Sequence, residues 1–230
     1  MLRVGTEIFF IIERRRPYIS GGGRMELERL IGMLKDRTPV ILGSDQFIKY
    51  SILLPLIHHD GEIRVLFEVR AHTLRRQPGE ICFPGGKIDQ EDRDEQHSAI
   101  RETSEELGIS ESTIANVFPL DYMVSAFGTI IYPYVGVIED YQAIKPNPAE
   151  VAEIFTVPLS FFKRTNPEKY KINFQIQPEE NFPFDSIQGG EKYNWQTRQL
   201  EEYFYRYEGK VIWGLTARVL SHFLEIISEK

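Results

Sequence analysis

Cysteine is almost absent: Cys82 is the only one in 230 residues. That excludes an internal disulfide framework and any zinc knuckle needing several cysteines. Long apolar runs are missing too. The longest early one, Ile8 to Ile12, falls far short of the roughly 20 residues of a membrane span. It is also too short for a secretory signal, and its arginines follow it rather than precede it. Basic residues are outnumbered, 27 Lys and Arg against 34 Asp and Glu, and the net charge of −7 argues against broad nucleic-acid binding. No repeat or low-complexity tract is present. With 42% hydrophobic residues, the chain is too apolar for disorder and has the length of one ordinary domain with a short appendage. The expectation is a reduced, soluble, cytoplasmic protein, in which an anionic substrate would need local basic residues or a metal ion.

Residues 1–24 differ from the rest. Glu13-Arg14-Arg15-Arg16-Pro17 is a charged breaker, and Ser20-Gly21-Gly22-Gly23-Arg24 reads as a flexible stretch. Met25 then opens an amphipathic helix, with Leu27, Leu30, Ile31 and Leu34 at helical spacing. Residues 1–24 are expected to be an extension, with Met25 as the natural start and residues 25–230 as the functional domain. The competing reading is a genuine N-terminal strand at residues 6–12. The mass of the protein expressed from its own gene separates the two.

Strands are expected from about Lys49. Tyr50 to Ile57 is β-rich, Asp60-Gly61 is a turn signal, and Glu62 to Arg70 alternates apolar and polar, which makes a hairpin. A loop runs to Gly86, a helix covers 94–107, and Gly108 stops it. Residues 125–138 read as strand, 150–155 as a short helix, 181–207 as loop and strand, and 211–227 as an apolar closing helix. Parallel βαβ alternation is not clear, so the expected class is α+β, a mixed β-sheet packed between helices.

Chemistry concentrates between residues 70 and 109. On the helix, Glu102, Glu105 and Glu106 share one face, while Ile100, Thr103 and Leu107 fall on the opposite, core-facing side. Like charges at this spacing cost about 0.2–0.5 kcal/mol per pair. A divalent cation would relieve them, and oxygen donors of this kind suit Mg²⁺ or Mn²⁺. A solvated acidic face is the plainer alternative on periodicity alone. The flanks favour the ion. Gly85-Gly86 lets backbone approach closely and can offer a carbonyl. Residues 70–87 carry Arg70, Arg75, Arg76 and Lys87 against one acid, whereas residues 89–106 carry eight acids against two arginines. A basic loop leading into an acidic helix suits metal-dependent phosphate chemistry, with arginines on phosphate oxygens and carboxylates on the ion.

The segment from Gly86 to Ile109 resembles the Nudix box: Gly, five residues, Glu, seven residues, then Arg-Glu-aliphatic-x-Glu-Glu-x-Gly-aliphatic. Arg101-Glu102-Thr103-Ser104-Glu105-Glu106-Leu107-Gly108-Ile109 fits the second half, with Thr103 in the aliphatic slot. The first half has one extra residue, and Asp92 takes the acidic place. That insertion is similar to the coenzyme A diphosphatase branch. So is the preceding Arg70-Ala71, Arg75, Gly79 and Phe83-Pro84-Gly85-Gly86, although the usual Leu-Leu-Thr lead-in is replaced by Leu66-Phe67-Glu68. Asn147 to Val151, Val157-Pro158-Leu159 and Ile212 to Ala217 also resemble that branch. The likeness spans about Lys49 to Lys230.

The resemblance implies a mixed sheet between helices (an α/β/α sandwich), with the box as loop, helix and loop. It implies hydrolysis of the diphosphate of coenzyme A or an acyl derivative to 3′,5′-ADP and (acyl-)4′-phosphopantetheine. Glu102 and Glu106 become direct ligands of Mg²⁺ or Mn²⁺, joined by the Gly86 carbonyl. Glu105 binds the metal or holds the attacking water; which of the three glutamates is the base stays open. Arg101 pairs with a box carboxylate. Glu80 and Glu150 are candidate remote ligands, and Arg70, Arg75, Arg76 and Lys87 candidate phosphate contacts. The expected partner is a small-molecule substrate, with neither nucleic acid nor membrane, and a homodimer is the common assembly.

Other residues have plainer readings. His58 and His59 sit on a turn, His97 is an exposed residue of the acidic helix, Ser104 lacks a His/Asp pairing, and Cys82 is a packed small residue. Tyr193, Trp195, Tyr203, Phe204, Tyr205 and Tyr207 could stack an adenine or line an acyl pocket, against the alternative of core packing. Competing functions are a Nudix hydrolase of another nucleoside diphosphate such as ADP-ribose or a dinucleotide, a non-catalytic Nudix-fold nucleotide-binding module, and an acidic-helix interaction domain. The pre-box arginine and glycine pattern favours coenzyme A. The three intact glutamates oppose the second, and the third leaves the Phe-Pro-Gly-Gly loop unexplained.

Overall fold

The structure, a computed structural model, describes residues 21–125 and 127–228, with side chains from Met25 onward. The expected strand at residues 6–12 lies outside the described residues. The chain divides into two units, residues 1–45 and 46–230. In the first, helix α1 spans Gly21–Lys35. It thus begins ahead of Met25 and takes up glycines that the sequence suggested were flexible.

The second unit is built on a mixed sheet. Strands β1 (Ile48–His59) and β2 (Glu62–Arg70) form the expected hairpin, turning through Asp60 and Gly61, both at positive φ. Strands β3 (Ile81–Cys82), β4 (Gly85–Lys87), β5 (Ile114–Pro119), β6 (Met123–Ser125), β7 (Thr129–Ile138) and β8 (Val151–Pro158) complete it. The order is β3-β2-β1-β7-β5, with β4 on β1, β6 on β7 and β8 on β2. Among the described residues, only β1 and β7 run parallel.

Side chains alternate across each strand, so neighbours in sequence enter different cores. Leu53, Ile57 and Leu66 pack with Ala99 and Leu107 of helix α2 (Glu95–Leu107) on one face. Leu54, Val65 and Phe67 pack on the other with helices α3 (Leu159–Arg164) and α4 (Gly214–Ser228), through Phe162, Leu220 and Phe223. Both faces are covered, so Val65, Leu66 and Phe67 of β2 are buried one after another, and the alternation expected for Glu62 to Arg70 gives way to a buried run. A second, antiparallel sheet of β9 (Glu168–Phe174), β10 (Arg198–Tyr207) and β11 (Lys210–Trp213) adds Tyr205 and Ile212 to the α4-side core. This is the expected α+β sandwich.

Three expected elements differ. Residues 150–155 form no helix: β8 pairs antiparallel with β2 along Arg64 to Arg70, as its Val, Ile, Phe and Thr favour. Residues 125–138 are not one strand, because a turn with Gly128 at φ 73° folds β6 back on β7. The closing helix starts only at Gly214, since residues 210–213 pair with β10 as a strand.

Candidate active site

Helix α2 has its expected limits. Asp94 caps its start, its side chain accepting from the His97 N–H at 2.7 Å, and Gly108 closes it in the left-handed conformation. These caps fix the rotation of the acidic face over the Phe83–Lys87 loop. The loop in turn is seated on β1: the Leu53 N–H donates to the Pro84 carbonyl at 2.9 Å, and Gly85 lies opposite Ile52. Gly85 has φ 153°, and a Cβ there would run into the β1 backbone.

Seating the loop brings the Gly85 N–H within 2.8 Å of the Glu106 carboxylate, to which it donates. Glu106 is only 6% exposed, so it is not part of an exposed acidic face. Burial pushes its pKa well above the carboxylate range; the charge of Glu68 adds to this, and the Gly85 hydrogen bond opposes it. Glu102 lies one turn back, with its carboxylate against Gly86, where a Cβ would overlap it. Its side chain is 19% exposed, and its pKa is raised by burial against the pull of Arg101. Glu105 is 56% exposed and 3.3 Å from Arg101, so it stays at the rim. The structure thus brings Glu102, Glu106 and Gly86 together and leaves Glu105 outside the buried pair.

Arg101 is held by carboxylates, as the resemblance implied. It donates to both oxygens of Asp92 at 2.9 and 3.0 Å and lies 2.9 Å from Glu102. The Asp92 side chain is 1% exposed, and the Arg101 hydrogen bonds hold its pKa well below the usual range. His97 is not exposed as expected: its side chain is half-buried, with Nδ1 3.2 Å from Asp92.

Arg70 ends β2 and clamps the following loop through its backbone, its N–H donating to the Glu80 carbonyl at 2.9 Å. Its Nε is buried without a hydrogen-bond partner, and its charge stabilises the ionised form of Glu68. Arg75 and Arg76 are exposed on the loop, and Lys87 is exposed at the end of β4. Glu150 is exposed and accepts from the Asn147 side chain at 3.2 Å, while its charge raises the pKa of both Glu68 and Glu106. Glu80 accepts from Gln77. Tyr205 is core, its hydroxyl 3.0 Å from Ser221, and Tyr193 and Trp195 pack on each other at 4.8 Å. Ser104 donates to the Ile109 carbonyl. An apolar groove lined by Leu56, Phe118, Val135, Phe223 and Ile226 opens on the α4 side of the sheet, away from α2.

Glu68 is the residue that sequence reasoning missed. It is 1% exposed on β2, accepts from the Cys82 thiol at 3.2 Å, and has its second oxygen buried and unpartnered. The signal was visible as an acid among Val65, Leu66, Phe67 and Val69 on a strand with both faces covered. Burial raises its pKa, and burial together with Glu68 raises that of Cys82, which makes the thiol unreactive.

A buried Glu106 whose pKa is raised by burial and by the charges of Glu68 and Glu102, near an orphaned buried carboxylate oxygen, suits a hard divalent cation. Among the described residues, no three acidic, His or Cys side chains close around an ion unaided. Mg²⁺ asks for less, one or two carboxylates completed by water and substrate phosphates.

The NUDIX domain family model matches residues 50–175, more than half of the chain. The chain belongs to the Nudix family. It is 38% identical over 122 residues to the peroxisomal coenzyme A diphosphatase NUDT7 of Mus musculus, covering 53% of this chain and 51% of that protein. It is 32% identical over 177 residues to the Nudix hydrolase NudL of Photorhabdus laumondii, covering 77% of this chain and 83% of the other. The chain therefore spans about half the length of the mouse relative. Among solved structures, an Ap4A hydrolase of C. elegans in a binary complex aligns with a TM-score of 0.41 at 18% identity, over 51% of this chain and 84% of that one. Among the described residues of this Nudix protein, no helix is long and apolar enough to cross a membrane.

Proposed function

We propose that this Nudix protein is a divalent-cation-dependent pyrophosphohydrolase acting on coenzyme A or its acyl derivatives. Water adds across the diphosphate, one P–O bond of the anhydride breaks, and 3′,5′-ADP and (acyl-)4′-phosphopantetheine leave as phosphate monoesters. The observation that carries the reading is the burial of Glu106 under the Gly85-Gly86 loop with Glu102 beside it.

In this reading Glu102, Glu106 and the Gly86 carbonyl hold Mg²⁺ or Mn²⁺. The bound ion supplies Lewis acidity to the diphosphate and to the attacking water. Glu105, at the rim beside Arg101, takes or orients a proton of that water. Arg70 meets phosphate oxygens, with the exposed Arg75, Arg76 and Lys87 as outer contacts. The choice of coenzyme A rests on the arginine and glycine pattern ahead of the box and on the name of the mouse relative. A reducing compartment such as the cytoplasm fits the lone thiol, whereas the mouse relative's name puts that protein in the peroxisome.

The test is a substrate panel of coenzyme A, acetyl-coenzyme A, ADP-ribose, diadenosine polyphosphates and nucleoside triphosphates, with both products weighed. Preferred cleavage of coenzyme A to the two named products supports the reading. Preferred cleavage of ADP-ribose or a dinucleotide would replace the substrate, and hydrolysis of none would remove the catalytic assignment.

A further inference from the structure

Strand β9 is placed unlike the others. It ends the order β11-β10-β9, so β10 flanks it on one side and no described strand flanks it on the other. Among the described strands it alone has every residue exposed, all seven from Glu168 to Phe174. Its side chains are nevertheless sorted. Lys169 pairs across the sheet with Tyr203 of β10 and lies on the face that carries Tyr205 into the core. Lys171 and Asn173 share that face by the period of two. Tyr170, Ile172 and Phe174 therefore lie on the outer face, where Tyr170 packs on Phe204 at 5.3 Å and Phe204 stacks on Trp213 at 5.7 Å. Phe127, exposed on the β6–β7 turn, lies 5.9 Å from Phe174. An apolar row thus runs out to an open strand edge and stops there.

Unpaired backbone N–H and C=O groups along an edge take another strand, and a second copy related by a two-fold axis supplies an antiparallel one. The sequence restricts the register. Directly paired residues share a face, so apolar meets apolar only when the axis passes through a residue rather than between two. An axis at Lys171 sets that lysine against itself, and one at Tyr170 sets Lys169 against Lys171. An axis at Ile172 removes both clashes: Tyr170 faces Phe174 of the second copy, Ile172 faces itself, and Lys171 faces Asn173. An axis at Asn173 also avoids like charges, but it pairs three residues of β9 in place of five. Lysines guard an edge against indiscriminate pairing, and these two pick out one register.

We propose that the protein forms a two-fold dimer by antiparallel pairing of β9 with β9 of a second copy, with Ile172 on the axis. The two three-stranded sheets join into one of six strands. The inference stands on strand geometry and charge, and it holds whatever substrate the Glu102 and Glu106 site takes.

The experiment measures the mass of the full chain by light scattering over a dilution series, in wild type and Ile172→Lys, with circular dichroism to establish folding. Wild type is expected at twice the 26.8 kDa chain mass. Ile172→Lys, which sets two lysines face to face on the axis, is expected at the single mass. Cysteine substitutions read the register. Ile172→Cys puts two Cα atoms about 4.5–5.5 Å apart, inside the disulfide range, whereas Lys171→Cys sets them two residues out of step, beyond about 7 Å. Mild oxidation should cross-link Ile172→Cys but neither Lys171→Cys nor wild type, whose lone thiol is held on Glu68. A wild type that stays monomeric overturns the inference and leaves the edge to a strand of another protein. A dimer that survives Ile172→Lys overturns it in favour of another surface. An Ile172→Cys that stays unlinked, or a Lys171→Cys that links in its place, overturns it as well. If Ile172→Lys does not fold, the two cysteine variants decide.

Discussion

Arg101 grips Asp92 with two hydrogen bonds, 2.9 and 3.0 Å, from the side of α2 that also carries Glu102. The pair ties the acidic loop after Gly86 to the helix and sets where Glu102 can lie. Removing the guanidinium would leave the enclosed Asp92 charge unmatched. Arg101→Ala is expected to cost about 1–3 kcal/mol in denaturant unfolding at pH 7. The Asp92 pKa is depressed in the folded state, so its contribution is present above the unfolded value of 3.8 and fades as pH falls through the lower folded value. The gap between wild type and variant should therefore narrow at pH 3. An undiminished gap would mean that the helix depends on Arg101 for something other than this charge.

Gly86 is tuned to the Glu102 carboxylate rather than to backbone conformation. Its φ is not in the left-handed region, so alanine adds no backbone strain, but its methyl group would occupy the space of the Glu102 carboxylate. A flexible side-chain end can move aside cheaply. Gly86→Ala should therefore leave the thermal midpoint within a degree or two, roughly what a change under 0.5 kcal/mol produces. Turnover should drop by about a hundred-fold as the displaced ligand loses its position. Wild-type turnover in the variant would take Glu102 out of the cation site.

The stability of the metal-free protein should depend on pH through Glu68 and Glu106. Both have folded pKa values raised above the ordinary glutamate value of 4.5, chiefly by burial. The sign follows directly: their contribution is complete below the unfolded value and is lost as pH rises through the higher folded values. In EDTA the thermal midpoint should fall between pH 5 and pH 9. Added Mg²⁺ or Mn²⁺ should restore it, most strongly at the alkaline end, where both carboxylates are ionised. A midpoint that rises with pH in EDTA would contradict the burial of the pair.

Much of this arrangement was legible before the structure. The caps at Asp94 and Gly108, the Asp60-Gly61 hairpin and the mixed sheet all follow from local chemistry, because capping and turn residues act within a few positions. The short helix expected at 150–155 failed because Val151 to Val157 pair with β2, more than eighty residues away in sequence, and such pairing overrides local signals. The site divided in the same way. Periodicity put Glu102, Glu105 and Glu106 on one face, but it could not show that the Phe83–Lys87 loop closes over Glu106 and leaves Glu105 outside. Glu68 was passed over as a degraded Leu-Leu-Thr position, since a motif scores what is missing rather than what replaces it. Its neighbour Cys82 was read correctly as a packed residue, yet its hydrogen bond to Glu68 depends on cross-strand register.

Glu106→Gln separates catalysis from folding. Glutamine keeps an oxygen to accept the Gly85 N–H, so the loop stays seated. It removes a charge that burial and Glu68 both disfavour, and replacing such a charge by a neutral isostere of the same shape is stabilising or neutral. In EDTA at pH 8 the variant should melt no lower than wild type, and higher if Glu106 is ionised there. Loss of a metal-ligating carboxylate should lower turnover by about 10²–10⁴-fold. A structural role alone would lower stability and activity together. Falling turnover with a preserved or raised melting point is the signature of a residue kept for chemistry at the expense of the fold, and a variant that melts early and turns over in proportion to its folded fraction would reject it.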